Sequence, residues 1–245
     1  MGNCADAPGD IPTSQTEIDY ESAQAEVIVP TVVALDQVPV EEVIEKEEEA
    51  FPVLRPEVMD KVKSLPAFDY EPSPEGYRPN VLKQEVRREG YAGQYNEQGE
   101  KEGQGVQHFP DGSLYEGYWQ RDQPNGRGRI IRANGEVHVG DFQDGVPHGP
   151  GHTTYPDRST YDGHFSTDKK QGPGTFTWPD GSSYTGDFVD DACTGMGRYA
   201  WADGRRYVGE WKDNVMEGEG VFTWKDGRKY TGQYLGDKMH GEGVF

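Results

Sequence analysis

The chain has 245 residues, with 24 Lys and Arg against 44 Asp and Glu, for a net charge of −20. So acidic a chain lacks the basic footprint with which nucleic-acid binders neutralise phosphate, and that class is excluded. Only 33% of residues are hydrophobic and the mean hydropathy is −0.90, too little apolar side chain for one large globular core.

Residues 1–80 hold 18 acidic and 5 basic side chains (5 − 18 = −13) and three glycines, Gly2, Gly9 and Gly76. The remainder holds 26 acidic and 19 basic side chains (19 − 26 = −7) and the other thirty glycines, so the chain divides near residue 80. The first part is acidic and proline-rich, with apolar stretches at 27–40 and 51–54. It reads as a mostly disordered, solvated extension, the alternative being that parts of it dock on a partner or on the rest of the chain. One short helix is predicted from Pro56 to Leu65, with proline in its first turn. The opening Met1-Gly2-Asn3-Cys4 resembles an N-terminal acylation signal, with Gly2 for myristate and Cys4 for palmitate, although Asp6 stands where Ser or Thr is usual. One myristoyl chain holds a membrane only marginally, and no Lys or Arg precedes Lys46, so a membrane anchor here requires Cys4 as the second acyl site. The acidic charge also disfavours direct binding of the repeats to anionic lipid.

Residues 81–90 read as a linker, after which a repeat begins. Tyr-x-Gly-x-aromatic occurs at Tyr91–Tyr95 and Tyr115–Trp119, and recurs at His138/Phe142, Tyr161/Phe165, Tyr184/Phe188, Tyr207/Trp211 and Tyr230/Tyr234. The starts are 24 residues apart once and 23 thereafter, and every unit carries a Gly-x-Gly pair, from Gly103/Gly105 to Gly241/Gly243. Positions i, i+2 and i+4 of an extended strand share one face. The eighth position, held by Asp122, Gly145, Asp168, Asp191, Asn214 and Asp237, suits a left-handed turn. A second strand then runs from Gly-x-Gly through apolar residues two apart, such as Phe176 and Trp178, to an Asp-Gly or Asn-Gly hairpin signal, with Asp157-Arg158 the one departure. Glycine opposite an aromatic lets the ring lie over bare backbone. The predicted fold is therefore all-β: an elongated single-layer antiparallel sheet of stacked hairpins at 91–245, each relying on its neighbours.

The pattern Tyr-x-Gly-x-Trp-x-x-Gly-x-x-x-Gly-x-Gly with a 23-residue period resembles the MORN (membrane occupation and recognition nexus) repeat, best at 207–229. The resemblance covers seven units across 91–245 and implies a twisted antiparallel sheet with an aromatic-lined groove. Repeat 3 departs most, with His138 for Tyr and Arg158 for Gly, and repeat 1 has one extra residue near Glu100.

Other motifs read as structure. The Gly-x-Gly pairs have no following Gly-Lys-Ser/Thr and no helix, against a phosphate loop. His138, His148, His152 and His164 occupy unrelated repeat positions, against a metal site; Asp190-Asp191 falls in a turn; Cys193 reads as an incidental loop thiol. Two distant cysteines form no disulfide framework and fit a reducing compartment. No cofactor and no catalytic residue is expected. The expected function is a non-enzymatic scaffold that binds a partner helix or peptide in a groove lined by Tyr95, Trp119, Phe142, Phe165, Phe188, Trp211 and Tyr234. It would sit in the cytoplasm, at the cytoplasmic face of a membrane through Gly2 and Cys4, or at the cell cortex or a cilium. The alternative is a lipid-free structural component of an axoneme or cortical cytoskeleton. The last unit stops seven residues short, leaving an open sheet edge that predicts a homodimer.

Overall fold

A computed structural model describes residues 54–70, 82–88 and 90–245, with the backbone alone for 82–88. All of these belong to one compact unit, and the other, residues 9–48, lies outside them. Gly2, Cys4 and the apolar stretch at 27–40 also lie outside the described residues.

Helix α1 (Pro56–Ser64) is followed by fifteen strands. They are β1 (Leu82–Arg88), β2 (Tyr91–Tyr95), β3 (Lys101–His108), β4 (Leu114–Gln120), β5 (Gln123–Ile131), β6 (Val137–Gln143), β7 (Val146–Thr154) and β8 (Thr160–Ser166). There follow β9 (Lys169–Thr177), β10 (Ser183–Val189), β11 (Ala192–Ala200), β12 (Arg206–Lys212), β13 (Val215–Thr223), β14 (Lys229–Leu235) and β15 (Lys238–Val244). Each strand pairs antiparallel with the next, so the sheet is a pure meander in chain order. The segment read as a linker at 81–90 instead supplies β1, which pairs with β2. Cys193 likewise sits in β11, buried, and not in a loop.

Two kinds of turn alternate. Between β4 and β5, Arg121 and Asp122 both have positive φ (49° and 66°), and the same holds at Asp190-Asp191 (47° and 73°) and Asp213-Asn214 (50° and 72°). Two consecutive left-handed residues make the type I′ turn that matches strand twist. The Asp-Gly dipeptides build the other turn: Trp178 N–H donates to the Ser182 carbonyl, Gly181 N–H donates back to Trp178, and only the glycine has positive φ. Arg158 occupies that glycine position in repeat 3 and is held at φ 75°. The extra residue of repeat 1 lies in a wider turn, where the Asn96 side-chain carbonyl accepts from Gln98 and Glu100 N–H.

The eighth position does more than turn the chain. Asp191 N–H donates to the Lys170 carbonyl while its carboxylate accepts from Lys170 N–H at 2.9 Å. Asp122 with Lys101, Asn214 with Cys193 and Asp237 with Met216 repeat this reciprocal clasp across 21 residues. Where the earlier residue is Pro124 there is no N–H to accept, and the later position is Gly145. Where it is Pro147, the carboxylate of Asp168 turns to Arg132 at 2.6 Å. Each repeat is thus tied to the one before it through the eighth-position N–H, and the reciprocal side-chain bond is added where the earlier residue has an N–H to donate.

The core is a ladder of rings on one face of the sheet. Tyr184 lies over Gly186 and Gly197, whose Cα atoms face each other across β10 and β11, and a Cβ on Gly197 would fall 2.5 Å from the ring. Its hydroxyl donates to the carbonyl three residues on, Asp187, as Tyr115 does to Tyr118 and Tyr207 to Glu210. The other glycine of the pair, Gly195, lies at the register shift with φ 62°. One glycine seats a ring and the other permits a bulge.

Candidate functional site

The seven rings expected to line a groove are the rungs of this ladder. Tyr184 meets Phe188 edge-on at 5.2 Å and Trp211 of the next repeat at 5.1 Å, and the zigzag continues through Tyr207 to Tyr234 at 5.0 Å. Toward the other end it runs from Phe165 over His138 and Phe142 to Trp119 and Tyr95. Trp119, Phe142, Phe165, Phe188, Trp211 and Tyr234 are 0–7% exposed, and Tyr95 is half-buried. Their burial corrects the expectation that they present a contact surface: from Trp119 onward each ring meets the first ring of the repeat before it, so the open face that a single layer should leave is closed by its own aromatics. Trp178, Phe222 and Tyr199 extend the same face, while Trp201 and Trp224 are half-buried at its margin beneath Arg205 and Arg228.

Buried polar groups within the ladder are local substitutions of its pattern. His138 replaces tyrosine, with Nδ1 2.9 Å from the Thr153 hydroxyl, Nε2 unpartnered among the described residues, and burial pushing its pKa down to about 3. Lys170 puts its ammonium beside Asp191 at 3.1 Å and within 5.6–5.8 Å of the rings of Tyr155, Tyr161 and Phe176. At the equivalent places stand Cys193 and Met216, so the lysine stem fills a core site and its charge is met by a carboxylate and aromatic faces. Asp190 and Asp191 serve turn and clasp. Among the described residues no three side chains of metal-ligating type converge.

The opposite face is where exposed chemistry lies. One column on it runs in register through Val106, Glu116, Arg129, Val139, His152, Asp162, Thr175, Thr185, Arg198, Val208, Val221 and Thr231. At β4–β6 this face is apolar, with Leu114, Ile131 and Val137 buried beneath Val58 of α1, and with Leu54, Val62 and Leu65 packed alongside. The alternative that part of the acidic region docks on the sheet therefore holds for residues 54–70. The helix ends one residue short of the predicted Leu65, whose N–H donates to the Lys61 carbonyl. Beyond the helix, Arg129 donates to the Pro66 carbonyl at 2.9 Å and pairs with Glu116 at 2.5 Å, and Tyr118 donates to the Tyr70 carbonyl at 3.0 Å.

Past β6 no described residue covers this face. Over β7–β10 it forms an open depression of about 480 Å³ that includes Pro150, His152, Asp162, His164 and Pro173. Here His152 Nδ1 lies 2.6 Å from the Asp162 carboxylate, and the Thr175 and Thr185 hydroxyls pair at 3.0 Å. Over β11–β13 it carries exposed apolar side chains among charged ones: Met196 is 62% and Val208 47% exposed, with Glu210 opposite Met196 and with Arg198 and Val221 flanking Val208. Of these residues the sequence marked only His152 and His164, and those as metal ligands that their repeat positions argue against; all are x positions of the repeat, and their alternation with the glycines was the one signal for this face.

The MORN repeat profile matches residues 91–114, 115–137, 138–160, 161–183, 184–205, 207–227 and 230–245, and the chain belongs to this family. No curated protein matches the chain by sequence. Among solved structures it is similar to the TCP10c domain of Drosophila melanogaster Sas-4, at 15% identity and TM-score 0.34, over 60% of this chain and 96% of that one. It is also similar to the Drosophila SAS-4 TCP domain in complex with a proline-rich motif of Ana2, at 17% identity and TM-score 0.32, over 73% and 99% of the two chains. A third is the Danio rerio CPAP TCP10 domain in complex with a STIL peptide, at 19% identity and TM-score 0.26, over 56% and 70%. Likenesses of this strength carry no information on partner or function.

Proposed function

We propose that the protein is a non-enzymatic scaffold whose MORN sheet binds a partner protein on the face opposite the ring ladder. The observation that carries this is the division of labour between the two faces. The ladder encloses the large aromatics, while Met196 and Val208 remain exposed on the other face. Exposed apolar side chains set among charged ones on an open, rigid surface suit a protein contact more than a small-molecule pocket. A partner helix or peptide laid there would add a second layer, as residues 54–70 do over β4–β6.

The test is the double variant Met196→Glu with Val208→Glu in the full chain. Both side chains project into solvent, so melting should shift by less than about 1 kcal/mol in stability, as for ordinary surface substitutions. The partner that co-purifies with the wild type from native cells should be lost. Retention of that partner at wild-type yield overturns this assignment of the face.

The same reading places the scaffold in the cytoplasm, held at a membrane by acyl chains on Gly2 and Cys4, or at the cortex or a cilium. Intact-mass measurement of the amino terminus separates a membrane-tethered scaffold from a lipid-free axonemal or cytoskeletal component: Met1 lost and acyl mass gained supports the first, and an unmodified terminus the second.

A further inference from the structure

We infer that residues 54–70 are a built-in strap that holds a helix-binding site closed, and that the site's external ligand is an amphipathic helix followed by an extended stretch. This rests on the protein-binding reading and names a second surface for it, over β4–β6.

The strap shows what the site selects. Val58 and Val62 stand four apart on one face of α1, Leu54 and Leu65 flank its two ends, and this apolar stripe packs on Leu114, Ile131 and Val137 with Val106 and Val139 beside them. Two polar anchors read main chain: Arg129 donates to the Pro66 carbonyl and Tyr118 to the Tyr70 carbonyl. Any peptide can supply those carbonyls, so selection falls on the apolar stripe and on rings placed like Phe68, which lies over the Arg129 guanidinium at 5.7 Å, and Tyr70, edge-on to Tyr118 at 5.7 Å. Arg129 is 5% exposed and its Nε has no partner among the described residues, so the site keeps a donor that the strap does not use.

The strap is also weakly held. Its helix has nine residues, below the length that is stable alone, and its N-cap residue Arg55 makes no side-chain cap. Within the helix only Val58 is fully buried, and Met59 faces outward at 39% exposure. The sheet beneath is fastened by its own ladder: Tyr115 meets Trp119 and Phe142 on the opposite face, without any strap residue. Opening the strap therefore leaves the sheet folded, and tethering gives the strap an effective concentration in the millimolar range that an external helix must outcompete.

The experiment is hydrogen exchange on the full chain, with a labelled peptide of residues 54–70 added in trans. The amides of 56–64 should exchange at least about 100-fold faster than those of β4–β6, reporting a local opening. The peptide should bind the Val58→Asp chain with a Kd of tens of micromolar and bind the wild type at least about tenfold more weakly, since the wild-type site is occupied. A peptide carrying Val58→Asp should bind neither. Should Val58→Asp fail to fold, Val58→Ala replaces it with the same expected order. Strap amides that exchange no faster than β4–β6, or a folded, strap-released chain that does not bind the peptide, would overturn the inference. Neither outcome touches the Met196/Val208 test, so failure of the strap and failure of the scaffold reading are distinguishable.

Discussion

Replacing Gly197 with alanine asks whether ring seating is what demands glycine. Gly197 is not among the positive-φ residues, so its backbone tolerates alanine, but the new methyl would lie 2.5 Å from Tyr184 Cε2, 2.6 Å from its hydroxyl oxygen and 2.7 Å from Cζ. The ring has no room to give. It is fully buried, edge-on to Phe188 and Trp211 at 5.2 and 5.1 Å, and its hydroxyl donates to Asp187 at 3.1 Å. Overpacking costs about 1–3 kcal/mol, and a displaced ring also loses a hydrogen bond that contributes about 1 kcal/mol, so a loss of about 3 kcal/mol is expected. Gly227 is the control, with φ 91° and nothing within 4 Å of an added Cβ. Alanine there costs only backbone strain, about 1–2 kcal/mol. Urea unfolding followed by tryptophan fluorescence and hydrogen exchange resolves both variants, the latter because a repeat array loses stability locally. If Gly227→Ala is as damaging as Gly197→Ala, or worse, the glycines serve backbone conformation and the ring-seat account is wrong.

Four further outcomes follow from the same geometry. Arg158→Gly relieves a side chain held at φ 75° and should stabilise the protein by about 1 kcal/mol, read as a higher urea midpoint. His138→Tyr removes the orphaned Nε2, places a hydroxyl within reach of the carbonyl three residues on and should add about 1 kcal/mol at neutral pH, read as a higher urea midpoint. Because burial lowers the His138 pKa to about 3, the unfolded chain binds its proton first, so the wild type should lose stability as pH falls from about 6.5 towards 3, and the tyrosine variant should lose less. At the alkaline end, burial pushes Tyr234 up to about 12, so its contribution is complete below pH 10 and disappears between about 10 and 12; absorbance at the tyrosinate band should rise late, together with unfolding.

The repeat made most of the sheet legible before any coordinates. Glycine opposite aromatic gave the ring seats, the eighth-position Asp and Asn gave the left-handed turns, and Pro56 marked the helix start. What stayed hidden depends on partners distant in sequence. Strand β1 carries no Tyr-x-Gly signature, and its place is set by β2. The Asp191 clasp needs a residue 21 positions earlier, and its meaning emerges only beside Pro124 and Pro147, which have no N–H to donate. The groove was misplaced for the same reason. Seven aromatics on one face look like an exposed stripe until the register brings Trp211 of one repeat against Tyr184 of the one before. The opposite face went largely unmarked because its residues vary from repeat to repeat.

The most direct measurement is photo-crosslinking in the native cell, with benzoylphenylalanine at Val208 in the full chain and, separately, at the exposed turn residue Gly181. A protein partner on the face opposite the ladder should give one dominant crosslinked species from position 208 that is absent from position 181. The same species from both positions, or none from 208 while the chain still co-purifies with a partner, would contradict the placement of the binding surface.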